Sequence, residues 1–285
     1  MPRPLTLRYR PVYPAGPFSG CTRTGSPRAR AREETARRHG VPFFSILTLF
    51  PEALEPYLRA SIVGSARERG LARIELIDFR DFARDRHRTV DDRPFGGGPG
   101  MVLRPEPIVE CVEWLERRHG EFRKIMLCPT GRPFTQGTAE SLTAEERILL
   151  LCGRYEGFDQ RIAELFEWEA ISLGEFVLSG GELPALAVTE AVVRLLDGAL
   201  GNERSAVEDS FGSGRAAGET RDGATGERAE PPPPIFDHPH YTRPRSYRGR
   251  AVPEVLLSGD HAAIARWRRK RAHERGEHLR ESEGK

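Results

Sequence analysis

Residues 149–184 read LLLCGRYEGFDQRIAELFEWEAISLGEFVLSGGELP, and the fold turns on them. Two apolar runs, 148–152 and 170–173, each end in a polar loop punctuated by glycine, GRYEGFD and then GEFVLSGGELP, instead of a tight hairpin turn. Strands buried on both faces read as such continuous apolar runs, and loops held by a rigid sheet are where sites are built. Gly153, Gly157, Gly174, Gly180 and Gly181 offer backbone that turns with positive φ or lies against a flat ligand, while Tyr155, Glu156, Asp159 and Glu182 offer polar contacts. A G-x-G-x-x-G spacing is absent, and no helix opens directly on a glycine-rich turn, which argues against a dinucleotide-dependent oxidoreductase.

Upstream, FFSILTLF (43–50) is a buried strand stopped by Pro51, and 53–70 carries Leu54, Leu58 and Ile62 at four-residue spacing, predicting one amphipathic helix ended by Gly70. RIELIDF (73–79) is a second strand. Strand, helix, strand predicts a mostly parallel sheet in an α/β fold. Residues 80–101 end in DDRPFGGGPGM, where three consecutive glycines, Pro99 and Gly100 cannot form regular structure; the segment reads as a mobile surface loop or as backbone built to approach a planar group. A helix follows over 106–119, with Ile108, Val112 and Leu115 on its buried side. The strand KIMLC (124–128) then runs into Pro129, which should turn the chain away at the strand's carboxyl end, the place where ligands sit in open α/β sheets. A helix around 141–146 leads back to the central stretch.

Beyond it, LPALAVTEAVVRLL (183–196) predicts a helix with Pro184 in its first turn, apolar nearly all round and therefore buried, in part against a second subunit. By spacing alone, Glu190 and Arg194 form an ordinary ion pair, and Asp209 in NERSAVEDSF is a solvated loop acid. Residues 212–234 hold no aromatic, Leu, Ile, Val or Met, so they predict a linker, flexible first and then stiffened by four prolines. Residues 237–250 interleave four arginines with two tyrosines, a pattern suited to phosphate contact and base stacking. Asp237, His238 and His240 suggest a metal, but H-x-H on a short loop is a weak signal, and no metal ligand is assigned. Residues 262–285 predict a basic helix, with Trp267 set among arginines; it is either a solvated helix or one that faces RNA.

Length and charge frame these motifs. At 285 residues the chain has room for more than one domain, and no apolar run reaches the length of a membrane span. The net charge of +2 conceals basic ends, +7 over residues 1–40 and +5 over 237–285, flanking an acidic middle. A polyanionic partner would meet the ends of the chain. Cys21, Cys111, Cys128 and Cys152 are far apart with no CxxC pair, which predicts free thiols and a reducing cytoplasm. The expected organisation is a basic extension without regular structure (1–40), an α/β domain (41–211), the linker (212–236) and a basic helical domain (237–285). For the extension three readings stay open: an upstream start-site artefact, a basic arm for RNA, or an organelle transit peptide.

GRYEGFDQRI, SLGEFVLSGGELPALAV, DDRPFGGGPGM, EDSF and PHYTRP together closely resemble the bacterial tRNA (guanine-N1)-methyltransferases, SPOUT-class enzymes that use S-adenosylmethionine. The resemblance runs from about residue 44 to 211 and resumes from 237 to the region of Trp267. It implies an open parallel sheet with a trefoil knot, a small helical carboxyl-terminal domain, and methyl transfer to N1 of the guanosine 3′ of the anticodon. It implies Asp209 as general base and Arg194 as the catalytic arginine. Leu127, Pro129, Gly153, Tyr155, Glu156, Leu173, Leu178, Gly180 and Gly181 would surround the cofactor. Asp91, Arg93, Gly98, Gly100, Asp237, His240 and Arg243 would hold the tRNA anticodon stem-loop. A homodimer with each site completed by the partner is implied as well, and a response to magnesium, for which the sequence has no convincing ligand set. The chain departs from the family in its long linker and in carrying His238 where the family usually has Cys.

Overall fold

A computed structural model of the chain describes residues 40–200 and 236–283, with side chains to residue 277. The extension, Cys21, Asp209 and the linker lie outside the described residues. The described residues fall into two compact units, 40–200 and 236–283.

The first unit begins with β1 (Phe43–Thr48), every residue of which is buried. Two helices follow, α1 (Pro51–Leu58) and α2 (Ser61–Glu68), where the spacing predicts one. The chain turns extended at Ala60, and the Leu58 carbonyl accepts from Arg67 Nη1 at 3.1 Å instead of from a helical N–H. The break lets both Leu58 and Val63 reach the core, which one straight helix would not. Gly70 closes α2 as predicted, with φ 69° and the Leu71 N–H returning to the Ala66 carbonyl. Next come β2 (Arg73–Asp78), a short 3-10 turn at Phe79–Phe82, and a two-residue ribbon of β3 (Asp91–Asp92) with β4 (Val102–Leu103). Then α3 (Pro105–His119), β5 (Arg123–Pro133), α4 (Gln136–Leu142), β6 (Arg147–Cys152), α5 (Gln160–Leu165), β7 (Trp168–Ser172) and α6 (Glu182–Val193) complete the unit.

The predicted α/β class holds. β2, β1, β6, β5 and β7 form one sheet in that order, all parallel. Alternate residues supply two cores: Phe44, Ile46, Ile125, Leu127, Ile148 and Leu150 meet α1, α2, α4 and α6 on one face. Leu47, Met126, Leu149 and Leu151 meet α3, α5 and the 3-10 turn on the other. That double burial is why these strands read as unbroken apolar runs.

Two boundaries differ from expectation. Pro129 does not end β5; pairing with β7 slips between Leu127 and Arg132, and the strand resumes to Pro133. The extra residues form a bulge, which bends a strand without ending it. The helix expected around 141–146 lies earlier, because the Thr135 hydroxyl caps it by accepting the Thr138 N–H.

In the second unit, Arg248 (φ 49°) and Gly249 (φ 75°) turn a small hairpin, β8 (Ser246–Tyr247) with β9 (Arg250–Ala251). A 3-10 turn at Glu254–Leu257 packs against the long helix α7 (His261–Glu283). Asp260 caps α7 through the N–H groups of Ala262 and Ala263, both at 2.9 Å. Among the described residues no helix is long and apolar enough to cross a membrane.

Candidate active site

β6, β5 and β7 are neighbours in the sheet, so their carboxyl ends present three loops side by side. The loop after β6, residues 153–159, is the hub. Its Gly153 carbonyl accepts the Gly181 N–H at 2.9 Å, and Arg154 bridges Gly180 in antiparallel fashion. On its other side the Glu156 N–H reaches the Met101 carbonyl (3.0 Å), the Leu103 N–H reaches the Gly157 carbonyl (2.9 Å) and the Asp159 N–H reaches the Leu103 carbonyl (3.0 Å). The GGGPGM loop, the GRYEG loop and the SGGELP loop are therefore stitched together through main-chain atoms.

Close approach explains the glycines at the seam. A Cβ on buried Gly181 would lie 2.6 Å from Cys152 Cα, and one on Gly100 (φ 81°) would lie 2.2 Å from Glu156 Oε1. Tyr155 takes the left-handed conformation at φ 57° and leaves its ring half exposed. A non-glycine residue held there costs on the order of 1 kcal/mol or more, and such strain gathers at functional sites.

The cofactor residues named from sequence mostly fall on this cluster. Gly153, Tyr155 and Glu156 lie on the hub loop, and Leu127 is the β5 residue paired with both Cys152 and Ile171. Pro129 sits exposed on the β5 bulge, while Leu173, Leu178, Gly180 and Gly181 follow β7. Asp91 lies on the ribbon beside Leu103, and Arg93, Gly98 and Gly100 lie on the exposed loop it carries. Phe95, on that loop, is fully exposed. Arg194 ends α6, half-buried, and its N–H reaches the Glu190 carbonyl. The Glu190 carboxylate accepts the Tyr57 hydroxyl.

Two polar residues turn away from the expected role. Asp159 caps α5 through the Arg161 N–H (3.0 Å) and pairs with the Arg161 guanidinium, whose hydrogen bonds hold its carboxyl below the usual range. Glu182 is buried, accepting the Thr48 hydroxyl at 2.8 Å and pairing with Arg154 at 2.9 Å. Arg154 also stacks over Phe50, 4.4 Å from the ring centroid, and reaches the Ser179 carbonyl. Sequence reading missed Arg154, since its partners lie 28 and 104 positions away and leave no local pattern. A charge beside a glycine loop was the one available signal.

Asp237, His240 and Arg243 belong to the second unit. There Asp237 Oδ2 lies 2.7 Å from His240 Nε2, and the Asp237 carbonyl accepts from Arg275 at 2.9 Å. Trp267 gathers Tyr241, His238 and the Arg271 guanidinium around its ring at 5.8 to 6.5 Å. Arginine over a half-buried indole, with neighbouring aromatics, offers stacking faces and positive charge together. Of the cysteines, Cys111 and Cys152 are buried free thiols pushed well up by desolvation, and Cys128 is a half-exposed free thiol.

A sequence model of the tRNA (Guanine-1)-methyltransferase TrmD family matches residues 43–282. A tRNA (guanine-N(1)-)-methyltransferase of Bacillus subtilis is 46% identical over 225 residues, 79% of this chain and 84% of that protein. One of Desulforudis audaxviator is 49% identical, over 80% of this chain and 84% of its own. One of Nitratidesulfovibrio vulgaris is 48% identical, but there the match spans only 48% of the relative's length. Among solved structures, the crystal structure of tRNA (m1G37) methyltransferase from Aquifex aeolicus aligns over 86% of this chain and 94% of that one, with a TM-score of 0.64 and 36% identity.

Proposed function

We propose a function from one premise: the chain belongs to the tRNA (Guanine-1)-methyltransferase family. It transfers a methyl group from S-adenosylmethionine to N1 of the guanosine 3′ of the anticodon in tRNA. The observation that carries this reading is the hub loop, hydrogen-bonded on one side to Gly181 and on the other to Met101 and Leu103. It places the glycine segments proposed for donor and for guanosine against one another.

The residues present suit the donor. Gly153, just after β6, and Gly180 and Gly181, at the start of α6, bring bare backbone together, with Leu127, Leu173 and Leu178 proposed as the apolar wall and Tyr155, Glu156 and Pro129 as the rim. The donor supplies a methyl group on an already activated sulfonium. What remains for the protein is alignment and making guanine nucleophilic. N1 carries a proton and is a poor nucleophile until it leaves. Asp209, outside the described residues, is the carboxylate proposed to take that proton. Negative charge then spreads towards O6, where a fixed cation is worth most once water is excluded, and Arg194 is proposed for that position. Asp91, Arg93, Gly98 and Gly100 would hold the target base, while Asp237, His240 and Arg243 would contact the anticodon stem-loop. Asp237 and His240 would act as a hydrogen-bonded pair that shapes the loop.

The trefoil knot is proposed from the family, with the segment after β7 running past the end of β6, where the Gly181 N–H meets the Gly153 carbonyl. A homodimer completing each site is supported by exposed apolar side chains beside it: Phe176, Val177 and Leu183 are 54%, 83% and 63% exposed. Free thiols and a tRNA substrate fit a cytoplasmic enzyme. For magnesium, no three His, Cys, Asp or Glu side chains converge among the described residues of the first unit.

The test is methyl transfer to tRNA transcripts with and without guanosine at the target position, with the modified base identified by mass spectrometry. We expect N1-methylguanosine only where that guanosine is present. Labelling that ignores its removal, or no labelling of any transcript, would overturn the reading.

A further inference from the structure

The second unit contains a side-chain cluster whose role in holding tRNA does not account for its geometry, and one member of it, His238, has no place in the proposed transfer. Asp237, His238 and His240 bring a carboxylate oxygen and two imidazole nitrogens within 4.8 Å of one another. His240 Nε2 is hydrogen-bonded to Asp237 Oδ2 at 2.7 Å, a bond that an ion would replace, and His238 Nδ1 lies 3.3 Å from Asp237 Oδ1. The second approach is not a hydrogen bond. His238 Nδ1 is buried with no hydrogen-bond partner, while Oδ1 accepts the His238 backbone N–H at 2.8 Å. A buried imidazole nitrogen without a partner loses its hydration for nothing, unless something else occupies its lone pair.

A metal ion would. Two ligand atoms bonded at about 2.0–2.1 Å in a tetrahedral site stand roughly 3.3 Å apart, close to the separation of His238 Nδ1 from Asp237 Oδ1. We infer that Asp237, His238 and His240 form a three-ligand site for a first-row divalent cation of the zinc class. Two imidazoles with one carboxylate favour zinc, cobalt or nickel over magnesium, which prefers oxygen ligands throughout. The side chain of His240 is 69% exposed and that of Asp237 28%, so the outward coordination position is open to water. Behind the site, Arg275 holds the Asp237 carbonyl and Trp267 packs near the His238 ring. An ion there ties the segment 237–240 into one turn and fixes the start of the chain that carries Tyr241 and Arg243. Its role is to anchor that loop, and the inference stands whether or not the proposed methyl transfer is correct.

The experiment titrates tag-free, metal-stripped full-length protein with zinc chloride by calorimetry, and repeats the titration with cobalt(II) while recording its visible absorption. The expected result is one saturable ion per chain with a cobalt spectrum of low coordination number. His240→Ala changes an exposed side chain and His238→Ala a half-buried one; each should abolish that saturable binding, with circular dichroism reporting the fold. His238→Cys should keep the ion and add thiolate-to-cobalt absorption, because a thiolate can replace imidazole as ligand. Absence of saturable binding by the parent protein overturns the inference. So does binding that survives His240→Ala, or magnesium competing with zinc on equal terms.

Discussion

A methyl group added at Gly181 would fall 2.6 Å from Cys152 Cα and 2.9 Å from the Gly153 nitrogen, main-chain atoms that cannot swing aside. Gly181→Ala must therefore separate the hub loop from the first turn of α6. We predict a stability loss of about 1–3 kcal/mol in denaturant unfolding, with donor affinity in equilibrium dialysis falling further than stability does. Gly157 makes the contrast, since a Cβ there meets nothing within 4 Å and only its φ of 109° resists substitution. For the chemistry, Asp209→Ala should retain S-adenosylmethionine and lose methylation of a tRNA transcript; full retained activity would remove Asp209 from the role of base. Arg194→Ala should slow single-turnover transfer while tRNA affinity stays near normal. A collapse of affinity at an unchanged rate would move Arg194 to binding.

At the scale of elements, the loop 153–159 connects what the strands only bring near. Asp159 starts α5 by accepting the Arg161 N–H, and its own N–H holds Leu103. Removing the cap with Asp159→Ala should cost about 1 kcal/mol and raise amide exchange across 156–162, read by hydrogen-exchange mass spectrometry. The carboxyl is held below its usual pKa by hydrogen bonds from Arg161, so its contribution is present above the unfolded value near 4 and is lost as pH falls through the lower folded value. Asp159→Ala should accordingly flatten the acid limb of stability. The helices show how far local pattern reaches. Spacing placed α3 well, because its apolar face packs in register; the helix expected over 183–196 ends at Val193 and opens directly on Gly181, where no helix was expected to open on a glycine-rich turn. Spacing also merged α1 with α2, since a four-residue rhythm survives a two-residue break that only the packing of Leu58 and Val63 requires.

For the whole molecule, two properties of solution behaviour follow. His119 sits edge-on to Phe43 and Phe122, and desolvation, helped by Arg73, lowers its pKa below 6.5. A lowered folded pKa means the unfolded chain takes the proton first. Stability should then be constant above about pH 6.5 and decline as pH falls from there towards the folded value. Denaturant midpoints measured across that range should show the decline, and His119→Gln should remove it. The second property concerns RNA. With +5 over residues 237–285, tRNA affinity should drop steeply with added salt, and Arg243→Ala should reduce the slope of log affinity against log salt by about 1.

The sequence by itself determined the sheet and the location of its loops, because strands buried on both faces must be apolar at every position and glycines must stand where backbone meets backbone. It named the hub loop, the GGGPGM loop and the segment after β7 as one site through their resemblance to a family. Only the tertiary structure decided how these are joined: main-chain hydrogen bonds run from the hub loop to Gly181 on one side and to residues 101–103 on the other. It also turned Glu182 inward to Thr48 and Arg154, and set His238 and His240 around Asp237. Main-chain hydrogen bonds ask for no particular side chain, and an ion pair between distant residues leaves no spacing to read, so neither could be found before the chain was folded.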